Sequence, residues 1–280
     1  MSREFCLIGH PLGHSMSGYI HGELFHLSGK EAAYRLWDIA PEELPRKRDE
    51  LRRLSGFNVT IPHKIEVIGL LDRLDSKAEL YHSVNTVKCG EECVGFNTDA
   101  NGFLRALEAA GMPLGGRVVL CGAGGVARMM AFEAALAGSE LTLAVRGADV
   151  PAAQGLCREI TERLGREPRI CLLDEVGGAI DLLINATPVG MYPNSGAMPV
   201  AEAALKNCRA VFDAIYNPEE TLLMQTARRL GARASGGMTM LVWQAVVAHE
   251  IWDGVSYCAE EVEALVGRTN EEMRRRCSRA

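Results

Sequence analysis

Long apolar runs are missing from the sequence. Its longest apolar stretch, residues 238–252, is shorter than the roughly 20 residues that a membrane-spanning helix requires. Polar residues also interrupt this stretch, namely Gln244, His249 and Glu250. The chain passes from residue 4 directly into an apolar strand pattern, without the charged, apolar and small-residue regions of a signal peptide. We therefore expect a cytoplasmic protein in which 238–252 is a buried helix.

Cysteine pairs with metal-binding or redox spacing are missing too, although the chain has nine cysteines. No C-x-x-C occurs, and the cysteines are spread from Cys6 to Cys277, so we expect reduced and mostly buried thiols. Cys89 and Cys93 are the nearest pair. The Gly-Glu-Glu between them predicts a hairpin turn with the two cysteines as cross-strand neighbours.

An excess of basic residues is also missing. The formal charge of -6 argues against a protein that coats the phosphates of nucleic acid, so any basic site must be local. Four histidines, His10, His14, His21 and His26, are close in sequence. Their spacing gives no convincing ligand pair with a carboxylate partner, and we expect no metal site.

The order of apolar and helical patterns predicts two α/β units within the 280 residues. Short β-branched runs alternate with helical patterns, which is typical of parallel sheets built from βαβ units. In the first hundred residues we expect a strand at 5–9, a Ser-capped helix that ends at Gly29, a helix at 41–54 and a hairpin at 83–99. These elements form one mixed α/β unit.

A second series of elements follows, with a helix at 100–111 and strands near 117–121, 141–145, 169–173, 181–187 and 210–216. This is the pattern of a dinucleotide-binding unit. A charged helix is expected from about Ala259. No repeat, low-complexity tract or linker separates the two units, so we expect them to share a close interface.

A glycine-rich motif stands between the first strand of this series and the next helix. In "VVLCGAGGVA", Gly122, Gly124 and Ala127 match G-x-G-x-x-A, whose glycines allow a tight turn and close approach of the backbone to a pyrophosphate. Glycine-rich turns also occur for packing reasons alone. The position between strand and helix favours nucleotide binding, because helix N–H groups attract the phosphate charge.

Arg146 stands where NAD-binding proteins carry an acidic residue for the ribose hydroxyl. An arginine there favours a 2′-phosphate and so NADP over NAD. Arg146 has no second basic residue nearby, and a solvated arginine at a strand end is the structural alternative.

Polar side chains gather where several strands are expected to end, which is where open α/β sheets bind ligands. They are Ser15, Ser17, Asn58, Thr60, Asn85 and Asp99. Each has a structural alternative, such as Ser17 as helix N-cap, Asn85 in a turn and Asp99 as cap of the following helix. Together they suit a ligand rich in hydroxyl groups.

A lysine ends the stretch "GFNVTIPHK", residues 56–64. Such a lysine is usually a solvated strand end. Near a nucleotide site, however, a lysine and an aspartate suit hydride transfer to a carbonyl, because the alcohol proton must be delivered or removed. We therefore interpret Lys64 as functional, with Pro62 ending the strand so that Lys64 starts a helix.

Eight ordered blocks of this chain resemble those of the shikimate dehydrogenase family. The blocks are "HSMS", "NVTIPHK", "VNT", "GFNTDANG", "GAGGVA", "NATPVGM", "DAIYNP" and "MLVWQA". They cover nearly the whole chain. The resemblance implies an N-terminal substrate domain with a mixed sheet, residues 1–101 plus 239–280, and a Rossmann-like NAD(P)-binding domain, residues 102–238, with a cleft between them.

The resemblance also implies an activity, the NADPH-dependent, reversible reduction of 3-dehydroshikimate to shikimate in the shikimate pathway of aromatic amino acid biosynthesis. Lys64 and Asp99 would be the catalytic pair, with Lys64 relaying a proton to the ketone oxygen. The substrate-binding residues it implies are Ser15, Ser17, Thr60, Asn85, Asp99, Tyr216 and Gln244. The cofactor-binding residues it implies are Gly122, Ala123, Gly124, Gly125, Val126, Arg146, Thr187, Val189, Gly237 and Met240.

Three departures from the family pattern leave alternatives open. Gly18 follows Ser-x-Ser where proline is usual, "YHS" at 81–83 replaces small residues and glycine, and Gly147 and Asp149 follow Arg146 where a further arginine is usual. The last change makes NAD or dual cofactor use possible. A quinate or aminoshikimate dehydrogenase is the enzymatic alternative, and a non-catalytic metabolite-sensing regulator is the other. The oligomeric state is open between monomer and homodimer.

Overall fold

The computed structural model describes residues 3–13 and 15–278, so His14 of the histidine series lies outside the described residues. The strands are β1 (Arg3–Gly9), β2 (Ala32–Asp38), β3 (Gly56–Val59), β4 (Arg73–Leu74), β5 (Thr86–Lys88), β6 (Val94–Phe96), β7 (Arg117–Cys121), β8 (Glu140–Val145), β9 (Arg169–Leu172), β10 (Leu182–Asn185), β11 (Ala210–Asp213) and β12 (Arg233–Gly236). The α-helices are α1 (Ser17–Leu27), α2 (Arg48–Leu51), α3 (Ser76–Tyr81), α4 (Thr98–Ala109), α5 (Gly125–Leu136), α6 (Val150–Leu164), α7 (Glu202–Leu205), α8 (Leu222–Arg229), α9 (Gly237–Asp253) and α10 (Ala259–Cys277).

These elements form two units. The first contains the residues up to Gly102 together with those from Val242 onward, and the second contains Phe103–Leu241. The chain passes from one unit to the other within α4 and within α9. The assignment of substrate to the first unit and nucleotide to the second remains a prediction.

The first unit contains a mixed sheet, with the strand order β2-β1-β3-β5-β6-β4 among the described residues. β1 pairs in parallel with β2 and β3, whereas β5 is antiparallel to β3 and β6. β3 is buried along its whole length. A Cβ at Gly56 would overlap the indole of Trp252, whose Nε1 donates to the Val87 carbonyl at 2.9 Å. This contact packs the end of α9 against the sheet.

The second unit contains a parallel sheet, with the order β12-β11-β10-β7-β8-β9. In chain order within this unit that is 6-5-4-1-2-3, the strand order of the Rossmann fold. The direction of winding reverses between β7 and β10, and ligands of such sheets bind outside the carboxyl ends of the strands at this point. The expected fold class is confirmed, with a mixed sheet in one unit and a Rossmann-like sheet in the other.

Two local expectations are wrong. The helix expected at 41–54 is a 3-10 helix, Leu44–Lys47, followed by the short α2, because Pro45 has no N–H to donate to an earlier carbonyl. Lys64 does not start a helix either. It lies in a turn, and the next 3-10 helix, Glu66–Leu70, begins two residues later.

Three strands, β2, β4 and β12, were not expected from the sequence. Each lies at or next to a sheet edge and is held by pairing with one neighbouring strand. Across residues 3–13 and 15–278, no helix combines the length and the apolarity needed to cross a bilayer. The nine cysteines are free thiols, of which Cys258 and Cys277 are exposed.

Candidate active site

The ion pair between Lys64 and Asp99 is the centre of the candidate site. Lys64 lies in the turn after β3, and Asp99 lies in the first turn of α4. The Lys64 Nζ donates to Asp99 Oδ2 at 2.6 Å, with 24% and 18% of the two side chains exposed. The pair is therefore reachable from solvent and is held in one geometry. The lysine is not the freely solvated strand end that its sequence context first indicates.

Asn85 holds the second oxygen of Asp99. Its Nδ2 donates to Asp99 Oδ1 at 2.9 Å, while its Oδ1 accepts the Thr98 N–H at 2.7 Å. The amide is buried, and these two bonds determine which end faces the carboxylate. One residue earlier, the Val84 N–H donates to the Lys64 carbonyl at 2.8 Å. Consecutive residues therefore position both members of the ion pair.

A buried hydrogen-bond network lies behind Asn85. The Thr98 hydroxyl contacts the Asn85 amide at 3.0 Å and the Thr86 hydroxyl at 3.0 Å. Asn58 Nδ2 donates to the Thr86 hydroxyl at 3.0 Å. On α9, Gln244 Oε1 lies 3.4 Å from Asn85 Nδ2. A network whose polar atoms are satisfied in this way gives the site a rigid base.

The serine segment lies at the beginning of α1. Ser15 Oγ accepts the Ser17 N–H at 3.2 Å, but the N-cap of α1 is Met16, which makes no side-chain capping bond, so the expected serine cap is wrong. The Tyr34 hydroxyl, which lies near the Ser17 side chain, donates to Asn58 Oδ1 at 2.7 Å. Burial raises the pKa of Tyr34 well above its ordinary value, so the phenol stays protonated. Tyr34 thereby joins the network behind Asn85 through Asn58.

Thr60 and Tyr216 lie on different units. Thr60 follows β3 directly, its N–H donates to the Ile8 carbonyl at 2.9 Å, and its methyl group fills the space that a Cβ at Gly9 would need. Tyr216 follows β11 and is 36% exposed. Burial of the remainder raises the pKa of Tyr216 above its ordinary value. Its substrate contact remains a prediction.

The "YHS" segment ends a helix. His82 follows α3 with a φ of 50°, a left-handed conformation that favours glycine at helix ends. The Ser83 carbonyl accepts a hydrogen bond from Asn97 Nδ2 at 3.0 Å. A glycine would adopt this left-handed backbone more readily than His82 does.

The glycine loop joins β7 to α5. Gly122 has a φ of 110°, and a Cβ there would approach Thr187 and Ala186 to 3.2 and 3.3 Å. Gly124 caps α5 without a side-chain acceptor, so the first N–H groups of the helix are left for a ligand. Cβ atoms placed at Gly124 or Gly125 would meet open space. These features fit a bound pyrophosphate.

A cavity of about 330 Å³ opens beside this loop. Its lining includes six of the predicted cofactor residues, namely Gly122, Ala123, Gly124, Arg146, Thr187 and Val189. Of the other described candidates, Gly125, Val126, Gly237 and Met240 are not part of that lining. Arg146 is largely exposed, and its Nε donates to Asp149 Oδ2 at 2.7 Å. Asp149 also lines the cavity. The guanidinium of Arg146, which is expected to bind the phosphate, is therefore already paired with a carboxylate.

Gly237 and Met240 lie in the first turn of α9. A Cβ at Gly237 would overlap the Ala214 carbonyl oxygen, and the Gly237 N–H donates to the Ile215 carbonyl at 2.9 Å. Met240 is buried. The close approach of α9 to the segment after β11 therefore requires glycine at this position.

Sequence reasoning did not assign a role to several residues that the structure places at these sites. Tyr34, Thr86 and Thr98 belong to the network behind Asn85, and Asn185 and Asp213 lie at the ends of β10 and β11. Asn58 is predicted from the sequence only as one of the polar side chains that suit a hydroxyl-rich ligand. A polar residue inside an apolar strand is the signal that could have identified them, because burial of an unpaired polar group is costly.

Among the residues that the structure describes, His10 and His21 of the histidine series have different partners. His10 Nδ1 lies 2.6 Å from Asp38 Oδ1, whereas His21 Nδ1 lies 3.1 Å from His249 Nε2. Within the part of the chain that the structure describes, no three His, Cys, Asp or Glu side chains are placed to hold a metal ion.

Comparisons with known proteins identify the family. A model described as the shikimate dehydrogenase substrate binding domain matches residues 7–87. The chain is 40% identical over 258 residues to the shikimate dehydrogenase (NADP(+)) of Methanocaldococcus jannaschii, covering 89% of this chain and 90% of that protein. The shikimate dehydrogenase (NADP(+)) of Methanopyrus kandleri is 42% identical over 262 residues, covering 89% of each chain.

A solved structure agrees with these relatives. The shikimate 5-dehydrogenase of Thermus thermophilus, in complex with NADP(H) and shikimate, matches with a TM-score of 0.85 and 34% identity. The match covers 95% of this chain and 99% of the other. Because the identity to curated members extends over most of both chains, this chain belongs to the shikimate dehydrogenase family.

Proposed function

We propose that the protein is an NADP-dependent shikimate dehydrogenase, which reversibly reduces 3-dehydroshikimate to shikimate. The Lys64–Asp99 ion pair carries this proposal, because it supplies the proton group that reduction of a ketone requires. The relatives named above are NADP-dependent shikimate dehydrogenases, which supports the same reaction for this chain.

Lys64 is the proton donor in this proposal. Its ammonium group approaches the ketone oxygen, stabilises the alkoxide that develops there and passes a proton to it. In the reverse direction, the amine accepts the proton of the alcohol. The nicotinamide supplies or accepts the hydride when the cofactor is bound.

Asp99 and Asn85 keep Lys64 in position. The Asp99 carboxylate holds the ammonium at 2.6 Å, and Asn85 prevents the carboxylate from rotating by binding its other oxygen. The nearby Gln244 amide and the Thr60 hydroxyl are proposed to bind substrate hydroxyls. Tyr216 has the same proposed role.

The substrate carboxylate is proposed to bind at the serine segment. Two hydroxyls, those of Ser15 and Ser17, stand at the start of α1, where helix N–H groups and the helix dipole favour an anion. Ser17 also lies near Tyr34, whose hydroxyl donates to Asn58. The hydroxyl-binding and carboxylate-binding ends of the site would therefore share one rigid base.

The cofactor is proposed to bind at the glycine loop. The open N-terminus of α5 suits the pyrophosphate, and Arg146 suits the 2′-phosphate of NADP. Thr187 and Val189 line the same cavity. Gly237 and Met240 are proposed to lie near the nicotinamide.

An oxidation assay tests the reaction. Purified protein should reduce NADP when shikimate is supplied, and quinate with NADP should react more slowly. The same two substrates with NAD measure the cofactor preference. No change in nicotinamide absorbance with any of the four pairs would overturn the proposal and favour a regulator that only senses the metabolite.

Three further expectations remain proposals. We propose a cytoplasmic protein that acts as a monomer or homodimer without nucleic acid. The acidic net charge supports the last point. Light scattering after size-exclusion chromatography would measure the oligomeric state.

A further inference from the structure

Asp213 is a fully buried carboxylate that the proposed reaction does not use. It ends β11, and its partner across the sheet is Asn185, the last residue of β10. Asn185 in turn pairs with Cys121, the last residue of β7. Asp213 therefore lies beside the point where the winding of this sheet reverses and where Rossmann-type sheets bind ligands.

Three donors from two segments, the end of β10 and the loop after β11, bind this carboxylate. Asn185 Nδ2 donates to Oδ1 at 3.0 Å, and the Ile215 N–H donates to the same oxygen at 3.1 Å. The Thr221 hydroxyl donates to Oδ2 at 2.7 Å. Both oxygens are satisfied without a cation, so the carboxylate acts as a junction between backbone segments.

The first segment is the loop after β10. Asn185 Oδ1 accepts the N–H and the hydroxyl of Thr187 at 3.0 and 2.7 Å, and Asn185 Nδ2 also reaches the Val189 carbonyl at 3.2 Å. Both residues line the glycine-loop cavity. Asp213 holds the amide that fixes them.

The second segment is the loop after β11, which contains Tyr216. Asp213 binds its beginning through Ile215 and its end through Thr221, which caps α8. The Ile215 carbonyl accepts the Gly237 N–H at 2.9 Å, which ties in the start of α9. The same carboxylate thus holds the loop closed at both ends.

We propose that Asp213 is a positioning residue for the nicotinamide cofactor, acting through Asn185, Ile215 and Thr221. The inference rests on the proposed function, because it concerns the cofactor site of that reaction. Burial raises the pKa of Asp213 to about 6, although its three hydrogen bonds lower the pKa in part. At neutral pH the buried carboxyl is therefore ionised. Burial of this charge costs free energy that a neutral side chain of the same shape, such as asparagine, would not cost, and such a cost is typical of functional positions.

Among the described residues, the groups that shift the pKa of Asp213 are all uncharged. Its pKa responds to burial, Thr221, Ile215 and Asn185, without a charged side chain among the described residues. The titratable neighbour is the Cys121 thiol, whose pKa burial raises to about 12, so it stays neutral. Any titration of the junction near pH 6 is then that of Asp213.

Asp213→Asn tests the proposal, since the amide keeps the shape but cannot accept hydrogen bonds at both ends. We expect the dissociation constant for NADP, measured directly by calorimetry, to rise about tenfold. The dissociation constant for shikimate should change little, and the melting temperature, measured alongside, records the cost of the buried hydrogen bonds that the variant loses. Asp181→Asn is the matched control, because Asp181 accepts the Arg117 N–H at 2.9 Å immediately before β10 begins, and it should leave NADP binding unchanged.

A pH profile separates positioning from a purely structural role. NADP affinity of the wild type should fall as pH decreases through about 6, because the protonated carboxyl loses an acceptor. The profile of Asp213→Asn should be flatter in this range. Thr221→Val, which removes the donor to Oδ2, supplies the test if Asp213→Asn does not fold, and it should also weaken NADP binding.

Unchanged NADP affinity in both variants would overturn the proposal. An equal loss of affinity in Asp181→Asn would overturn it too, because the effect would then come from general destabilisation. If the wild type bound NADP but did not oxidise shikimate, the proposed reaction would fail while the role of Asp213 could still be measured by binding.

Discussion

The Lys64 Nζ lies 2.6 Å from Asp99 Oδ2, although 35 residues separate the two in sequence. Val84 binds the backbone of the lysine, and Asn85 binds the carboxylate of the aspartate. The distance therefore depends on a two-residue segment that leads into β5. Substitutions at and around the pair provide the most direct tests.

Lys64→Met should lower kcat by about a hundredfold to ten-thousandfold, the usual contribution of a general acid or base. Methionine retains the apolar stem of lysine, so binding of shikimate should persist. Stopped-flow turnover and equilibrium binding of shikimate measure the two effects. Lys47→Ala removes a half-buried lysine that is paired with Glu50 outside the site, and it should change neither value. Normal turnover by Lys64→Met would show that another group transfers the proton.

Asp149→Ser should increase the preference for NADP over NAD. The Asp149 carboxylate pairs with Arg146 in the cofactor cavity, where it competes with a 2′-phosphate and can accept a ribose hydroxyl. We expect kcat/KM for NADP to rise several-fold and that for NAD to fall. Asp174→Ser, outside the cavity lining, is the control. Arg146→Ala should instead raise KM for NADP alone, and equal effects on both cofactors would rule out a 2′-phosphate contact.

Thr98→Val should destabilise the protein by about 1–3 kcal/mol, since it removes the buried hydrogen bonds that Asn85 and Thr86 make with the Thr98 hydroxyl. Urea unfolding measures the change in free energy. Thr98→Ser keeps the hydroxyl and should restore most of the stability. Thr161→Val, which removes a hydroxyl bonded to the carbonyls of Cys157 and Arg166 near the end of α6, should cost less. If Thr98→Val left the free energy of unfolding unchanged, the network would be dispensable for stability.

Folding stability should fall as pH drops below about 6.5, because two buried histidines resist protonation. Burial, with a smaller effect of Arg3, lowers the pKa of His249 to about 3, and burial lowers that of His21 well below its usual value. The unfolded chain takes up these protons near its ordinary pKa, whereas the folded protein does not. Each histidine therefore costs about 1.4 kcal/mol per pH unit below that point.

Unfolding free energies between pH 5 and 7.5 measure this slope. His249→Gln should reduce this slope by the amount that corresponds to about one proton taken up on unfolding. His26→Gln, at an exposed position, should leave the slope unchanged. A slope that stays the same in His249→Gln would show that other groups cause the acid sensitivity.

Local sequence signals were sufficient for the glycine loop and for the long apolar helix. G-x-G-x-x-A between a strand and a helix predicts the positive φ found at Gly122 and the open N-terminus of α5. The stretch 238–252 lies within α9. In each case the pattern is contained in one element, so neighbouring residues specify the structure.

Edge strands and proline-containing turns were not anticipated. β12 contains Ser235 and Gly236, which have low strand propensity, and it forms because β11 offers parallel partners. The single long helix expected at 41–54 does not form, because Pro45 lacks the N–H that a continuous helix needs there, and only short helical turns remain. Strand pairing and the loss of one donor outweighed the local pattern.

The order of motifs along the chain was sufficient to identify the family and the two-sheet fold, because each motif is a short segment with its own backbone requirement. It could not show which polar side chains share hydrogen bonds. Whether Arg146 is free or paired with Asp149, and which donors bind Asp213, depends on side chains brought together by strand pairing and loop closure. Tertiary structure decides these contacts because a buried polar group is stable only where the fold supplies its partner.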